Sequence, residues 1–134
     1  SPFVEKETIS KYYFTDNGIL NLFLIDADTS LLENLVAVTL LRKYGNDPDN
    51  ERVFYYNSGV EVNFFVPDEG LAIQVCYNLS HSDGTYEREV SALKKLPSAL
   101  ECKRRLIITY GDEATIEDNN GKIEVLPYWK WVIA

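Results

Sequence analysis

The 134-residue chain has no methionine, two cysteines, one histidine and no apolar run long enough to span a membrane. Each scarcity removes a class of function. Cys76 and Cys102 stand far apart without CxxC or Cys/His spacing, so neither a disulfide framework nor a zinc site is expected, and both thiols are read as reduced. The lone His81 falls in the loop Ser80-His81-Ser82-Asp83-Gly84, and with no GxSxG motif a hydrolase triad lacks support. No P-loop or GxGxxG occurs, so nucleotide binding must belong to another domain if the parent is an ATPase. The opening Ser1-Pro2-Phe3-Val4-Glu5-Lys6 lacks a signal pattern, which makes the cytoplasm the expected location and discounts the sequon Asn78-Leu79-Ser80.

Positive charge is also short. Against 21 Asp and Glu there are 13 Lys and Arg, a net charge of −8 with pI near 4.6. Such a field repels DNA unless basic residues gather on one face, so DNA is expected to bind weakly if at all. The one basic cluster, Lys103-Arg104-Arg105, leads into apolar Leu106-Ile107-Ile108 and reads as a solvated strand entrance.

What is present suits one globular domain: 46% hydrophobic and 25% charged residues, with no repeat or linker. Residues 1–10 read as an N-terminal arm or a remnant of a longer chain, and 11–134 as the domain. Lys11-Tyr12-Tyr13-Phe14 suggests a short strand or arm, followed by the turn-forming Asp16-Asn17-Gly18 and the apolar stretch 19–25. Over 29–44, Leu32, Leu35, Val36, Leu40 and Leu41 recur at three-to-four spacing before Gly45, which predicts a helix burying one face. The β-rich runs 53–56, 60–66 and 71–77, separated by Asn57-Ser58-Gly59 and Pro67-Asp68-Glu69-Gly70, predict an antiparallel meander. Residues 82–96 predict a second amphipathic helix with Tyr86, Val90, Leu93 and Leu96 on its apolar side, stopped near Pro97. Then come an apolar strand over 106–110 and a hairpin turning at Asn120-Gly121. The expected class is α/β, a mixed sheet with an antiparallel meander flanked by helices.

This order, and the residues on it, resembles the restriction-endonuclease-like fold of the PD-(D/E)XK nuclease superfamily. More narrowly, the chain resembles the C-terminal nuclease-like domain of a family of prokaryotic AAA-like P-loop ATPases of unassigned role. The likeness rests on stretches 12–20, Leu32-Glu33-Asn34-Leu35-Val36, Glu61-Val62-Asn63-Phe64-Phe65-Val66, Gln74-Val75-Cys76-Tyr77, Thr85 with Arg88-Glu89, and Pro127-Tyr128-Trp129-Lys130-Trp131. It covers nearly the whole chain from residue 11.

The resemblance implies a divalent-metal site built from a helix Glu, a strand Asp, an acid on the next strand and a Lys two residues beyond. Glu33 matches the helix Glu, but Asn63 stands at the strand Asp, Gln74 at the second acid and Cys76 at the lysine. Three of the four positions have thus lost their charge. Strand alternation puts Glu61 with Asn63 on one face and Gln74 with Cys76 on one face of the next strand. If any Mg²⁺ or Mn²⁺ were held, Glu33, Glu61 and Asn63 would be its ligands, though neutral amides and one or two carboxylates hold such ions weakly.

Each residue also has a plainer reading. Ser30-Leu31-Leu32-Glu33 has the form of a capping box. Asn63 and Gln74 suit a satisfied hydrogen-bond network. Cys76 suits an inert apolar position. Lys94 and Lys95 suit a solvated helix face, although in nuclease-fold families the lysine sometimes migrates to a neighbouring helix. Trp129 and Trp131 suit a core lid or a docking surface, and on a helix one of them would be exposed.

The resulting expectation is a catalytically degenerate nuclease-fold domain of a larger ATPase, with no cofactor. It would act in assembly, partner recognition or regulation, with the ATPase domain of the same chain, or another protein, as partner. The alternatives are a metal-dependent DNA nuclease with an altered site, and a defence or toxin–antitoxin interaction module.

Overall fold

Alternation along the central strands decides which helix each side chain meets. In the computed structural model, which describes residues 7–8, 27–45, 47–80 and 84–134, seven strands form one sheet. They are β1 (Glu7–Thr8), β2 (Phe54–Asn57), β3 (Glu61–Val66), β4 (Leu71–Val75), β5 (Arg104–Thr109), β6 (Ala114–Asp118) and β7 (Gly121–Pro127). The helices are α1 (Ala27–Tyr44), α2 (Thr85–Lys94) and α3 (Tyr128–Ile133). Expectations for 11–14, 16–18, 19–25, His81 and the first residues of the second helix fall outside the described residues.

The spatial order is β1-β2-β3-β4-β5-β7-β6. β2 to β4 run antiparallel, the expected meander, and β1 adds antiparallel to its edge from within the stretch read as an arm. α2 carries the chain from β4 to a parallel β5, as a crossover connection must. β7 is again parallel to β5, and β6 folds back on β7 as a hairpin. The architecture is therefore α/β, a mixed sheet between helices.

Leu71, Ile73 and Val75 of β4, with Leu106 and Ile108 of β5, meet Leu32, Val36, Ala37 and Leu40 of α1. Ala72, Cys76 and Ile107 point the other way, to Val90 and Leu93 of α2. β4 and β5 are apolar on both faces because both faces are covered. α3 closes the α1 side: the Tyr128 hydroxyl lies 2.8 Å from Thr39 Oγ1, and Trp131 packs on the core while Trp129 is 60% exposed. Residues 128–133 are helical, and one of the two tryptophans is exposed, as expected for a helix. No helix among the described residues is long and apolar enough to cross a membrane.

Three expectations need correction. α1 begins at Ala27, so Ser30 lies inside the helix, buried, and the capping box with Glu33 does not form. The hairpin pairs Asp118 with Gly121, so its loop is Asn119-Asn120. Gly121 alone takes positive φ, at 112°, while Asp118 Oδ1 accepts the Asn120 N–H at 2.9 Å. Arg105 is not solvated at a strand entrance. Its guanidinium donates twice to Asp118, at 2.7 and 2.8 Å, with side chains only 8% and 11% exposed, because β5 carries it under the hairpin. Arg104 does stay at the surface, paired with Glu124 at 3.0 Å.

At the Pro67–Glu69 turn, Gly70 has φ 59° and its carbonyl accepts from Lys103 and Arg104 N–H at 2.7 and 3.0 Å. A Cβ there would sit 2.9 Å from the Glu101 carbonyl oxygen, so only glycine lets β4 start against β5.

Candidate functional site

The ladder between β3 and β4 stops at Phe64 and Ile73, and the candidate site begins there. The next residues in register are Asn63 and Gln74, whose side chains take over from the backbone. Gln74 Oε1 accepts the Asn63 N–H at 3.0 Å, and Asn63 Oδ1 accepts the Val75 N–H at 2.8 Å. Gln74 Nε2 donates to the Glu61 carbonyl at 3.2 Å. Two amides thus occupy a gap where strands part, and they satisfy backbone groups that would otherwise be stranded.

Asn63 Nδ2 has one further partner, Glu33 Oε1 of α1, at 3.5 Å, the long end of hydrogen-bond range. Glu33, Asn63 and Gln74, named from sequence, are therefore joined in one chain of contacts. Glu61 joins it through its backbone, with its own side chain exposed. Cys76 lies in the apolar cluster of Val90, Leu93 and Ile107, where a thiol acts as a small hydrophobe.

On the α2 side of this splay lies a cleft of about 510 Å³, lined by Val60, Glu61, Gln74, Glu87, Arg88, Glu89, Ser91, Ala92 and Lys95. Lys95, one of the two candidate migrated lysines, faces it. Glu89, which in sequence belongs only to a stretch that carries the resemblance, is not among the expected site residues. Burial pushes its carboxyl up from 4.5 to about 7, nearby Arg88 pulls it down, and the Glu33 carboxylate raises it further. The signal was available: at 100° per residue, position 89 falls between Leu93 and Leu96 on the apolar arc of the helix expected over 82–96, an unusual place for a carboxylate.

The donor set suits a hard divalent ion poorly, since both amide oxygens already accept backbone N–H groups. Among the described residues no group of three or more His, Cys, Asp or Glu side chains has metal-binding geometry. What the arrangement offers is a cleft at a sheet splay, mainly apolar in surface but lined by several charged residues, one of them a carboxyl that changes charge near neutral pH.

Fold and site together define a mixed α/β domain with a cleft beside its antiparallel half. The chain is 36% identical over 132 aligned positions to the uncharacterized protein MJ1544 of Methanocaldococcus jannaschii, an alignment covering 91% of this chain and 29% of that relative. No family model and no solved structure matches the chain.

Proposed function

We propose that this chain is a restriction-endonuclease-like domain whose ancestral metal positions now hold the sheet together, and that it serves assembly, recognition or regulation within a larger cytoplasmic ATPase. The carrying observation is the use of Asn63 and Gln74: both amides are spent bridging β3 and β4, while Cys76 is buried in apolar surroundings. The element order also supports the reading, with helix, three-stranded meander, crossover helix, parallel strand and hairpin in sequence. That the chain spans 29% of its archaeal relative agrees with a domain carried in a longer polypeptide.

A second reading, a metal-dependent DNA nuclease, draws on the cleft, where Glu61, Gln74 and Lys95 line one cavity beside Glu33. One experiment separates the two. Titration with Mn²⁺, followed by calorimetry and by nicking of supercoiled plasmid, gives no stoichiometric binding and no cleavage if the site is degenerate. Nicking that disappears in Glu33→Ala establishes the nuclease instead.

A further inference from the structure

α1 is apolar on two sides, and among the described residues the sheet covers only one. Leu32, Val36, Ala37 and Leu40 meet the sheet, yet Leu31 and Leu35 are 52% and 43% exposed on the opposite side. The outward residues Asp28, Leu31, Leu35, Val38 and Arg42 follow one another at intervals of three, four, three and four, the spacing of a helix-pairing seam. α3 does not cover that seam. It approaches α1 through Thr39 and Lys43, about a quarter turn away on the helical wheel.

The seam carries opposite charges at its ends. Asp28 is in the first turn and Arg42 in the last, both exposed, and neither has an ion-pair partner among the described residues. Their numbers are equidistant from Leu35. A second identical helix laid antiparallel about Leu35 therefore sets each Asp28 level with the other copy's Arg42, and Leu31 within one residue's rise of Val38. The geometry points to a two-fold symmetric dimer in which α1 of one copy pairs antiparallel with α1 of a second copy, centred on Leu35. Such an interface is isologous, using the same patch twice, and the opposed helix dipoles favour the antiparallel sense. The inference is independent of the nuclease-like reading, since none of these residues lines the cleft.

Sedimentation equilibrium of the chain across a concentration series tests it. A monomer–dimer equilibrium is expected, and Leu35→Glu, at an exposed position that spares the core, should weaken it at least about tenfold. Asp28→Arg or Arg42→Asp alone should weaken it too, and combining them should restore it because the charges exchange across the axis. In a Cys102→Ser background, Leu35→Cys should form an intermolecular disulfide with its own counterpart under mild oxidation. A chain that stays monomeric, or a dimer indifferent to Leu35→Glu and to charge reversal, overturns the proposal. So does a monomer whose Leu35→Cys thiol resists alkylation, which would assign the face to another segment of its own polypeptide.

Discussion

Two partly buried carboxylates, Asp118 and Glu89, meet opposite electrostatic surroundings. Asp118, at the end of β6 in the β6–β7 hairpin, is held down from 3.8 to about 2 by the paired hydrogen bonds and charge of Arg105. Glu89, at the β3–β4 splay, is pushed up to about 7 by burial that no cation fully offsets. One region matches each buried charge with a partner and behaves as a staple; the other tolerates a mismatch beside an open cleft. Structural sites settle their charges, and sites that meet a ligand or a proton tend to leave one unsettled.

The largest expected effect breaks the staple. Asp118→Asn leaves the Arg105 guanidinium under the hairpin without its counter-charge, and removing one partner of a buried pair costs about 3 kcal/mol or more. Urea unfolding at pH 7 measures it. Because the folded pKa is depressed, the wild-type contribution is present above about 3.8 and is lost as pH falls through about 2. The gap between wild type and Asp118→Asn should therefore close in acid. A gap that persists to pH 2 would mean the pair acts by packing and not by charge.

Next in size is the amide bridge. Gln74→Ala strands the Asn63 N–H and the Glu61 carbonyl at the splay, a loss of about 2 kcal/mol. Hydrogen exchange should show the Asn63 amide losing protection while Phe64 and Ile73, within the ladder, keep theirs. Equal loss at all three would place Gln74 in the general core instead of at a local bridge.

The sequence disclosed the frame better than the joints. Periods of two and of three-to-four gave α1, the meander, the crossover helix and the hairpin, because covered strands and half-covered helices write burial into their spacing. Glu33, Asn63 and Gln74, which the resemblance grouped, are linked by hydrogen bonds in the structure. Cys76 packs among apolar side chains, because a strand's alternation names a face but not how far along it a polar patch extends. Arg105 was misplaced for a related reason: its burial is made by a hairpin folded over it from downstream, which local sequence does not encode. Ser30 looked like a cap because the pattern Ser-x-x-Glu is short enough to occur inside a helix.

The smallest effect is the most informative about the cleft, and it has the opposite sign. Glu89 binds its proton more tightly folded than unfolded, so its contribution to stability is fully present below about 4.5 and is lost as pH rises through about 7. Glu89→Gln keeps the neutral shape and cannot ionise. It should match wild type near pH 4 and exceed it at pH 8. A shift of this size reaches about 3 kcal/mol for a group sealed from water, and about 1 kcal/mol is expected here because the cleft side admits solvent. The Glu33 carboxylate contributes to the shift, so Glu33→Gln should lower the Glu89 pKa read by carboxyl NMR titration, while Asp118→Asn should leave it unmoved. If Glu89→Gln and wild type keep a constant difference from pH 4 to 8, Glu89 is an ordinary solvated carboxylate, and the contrast between the two regions reduces to one staple.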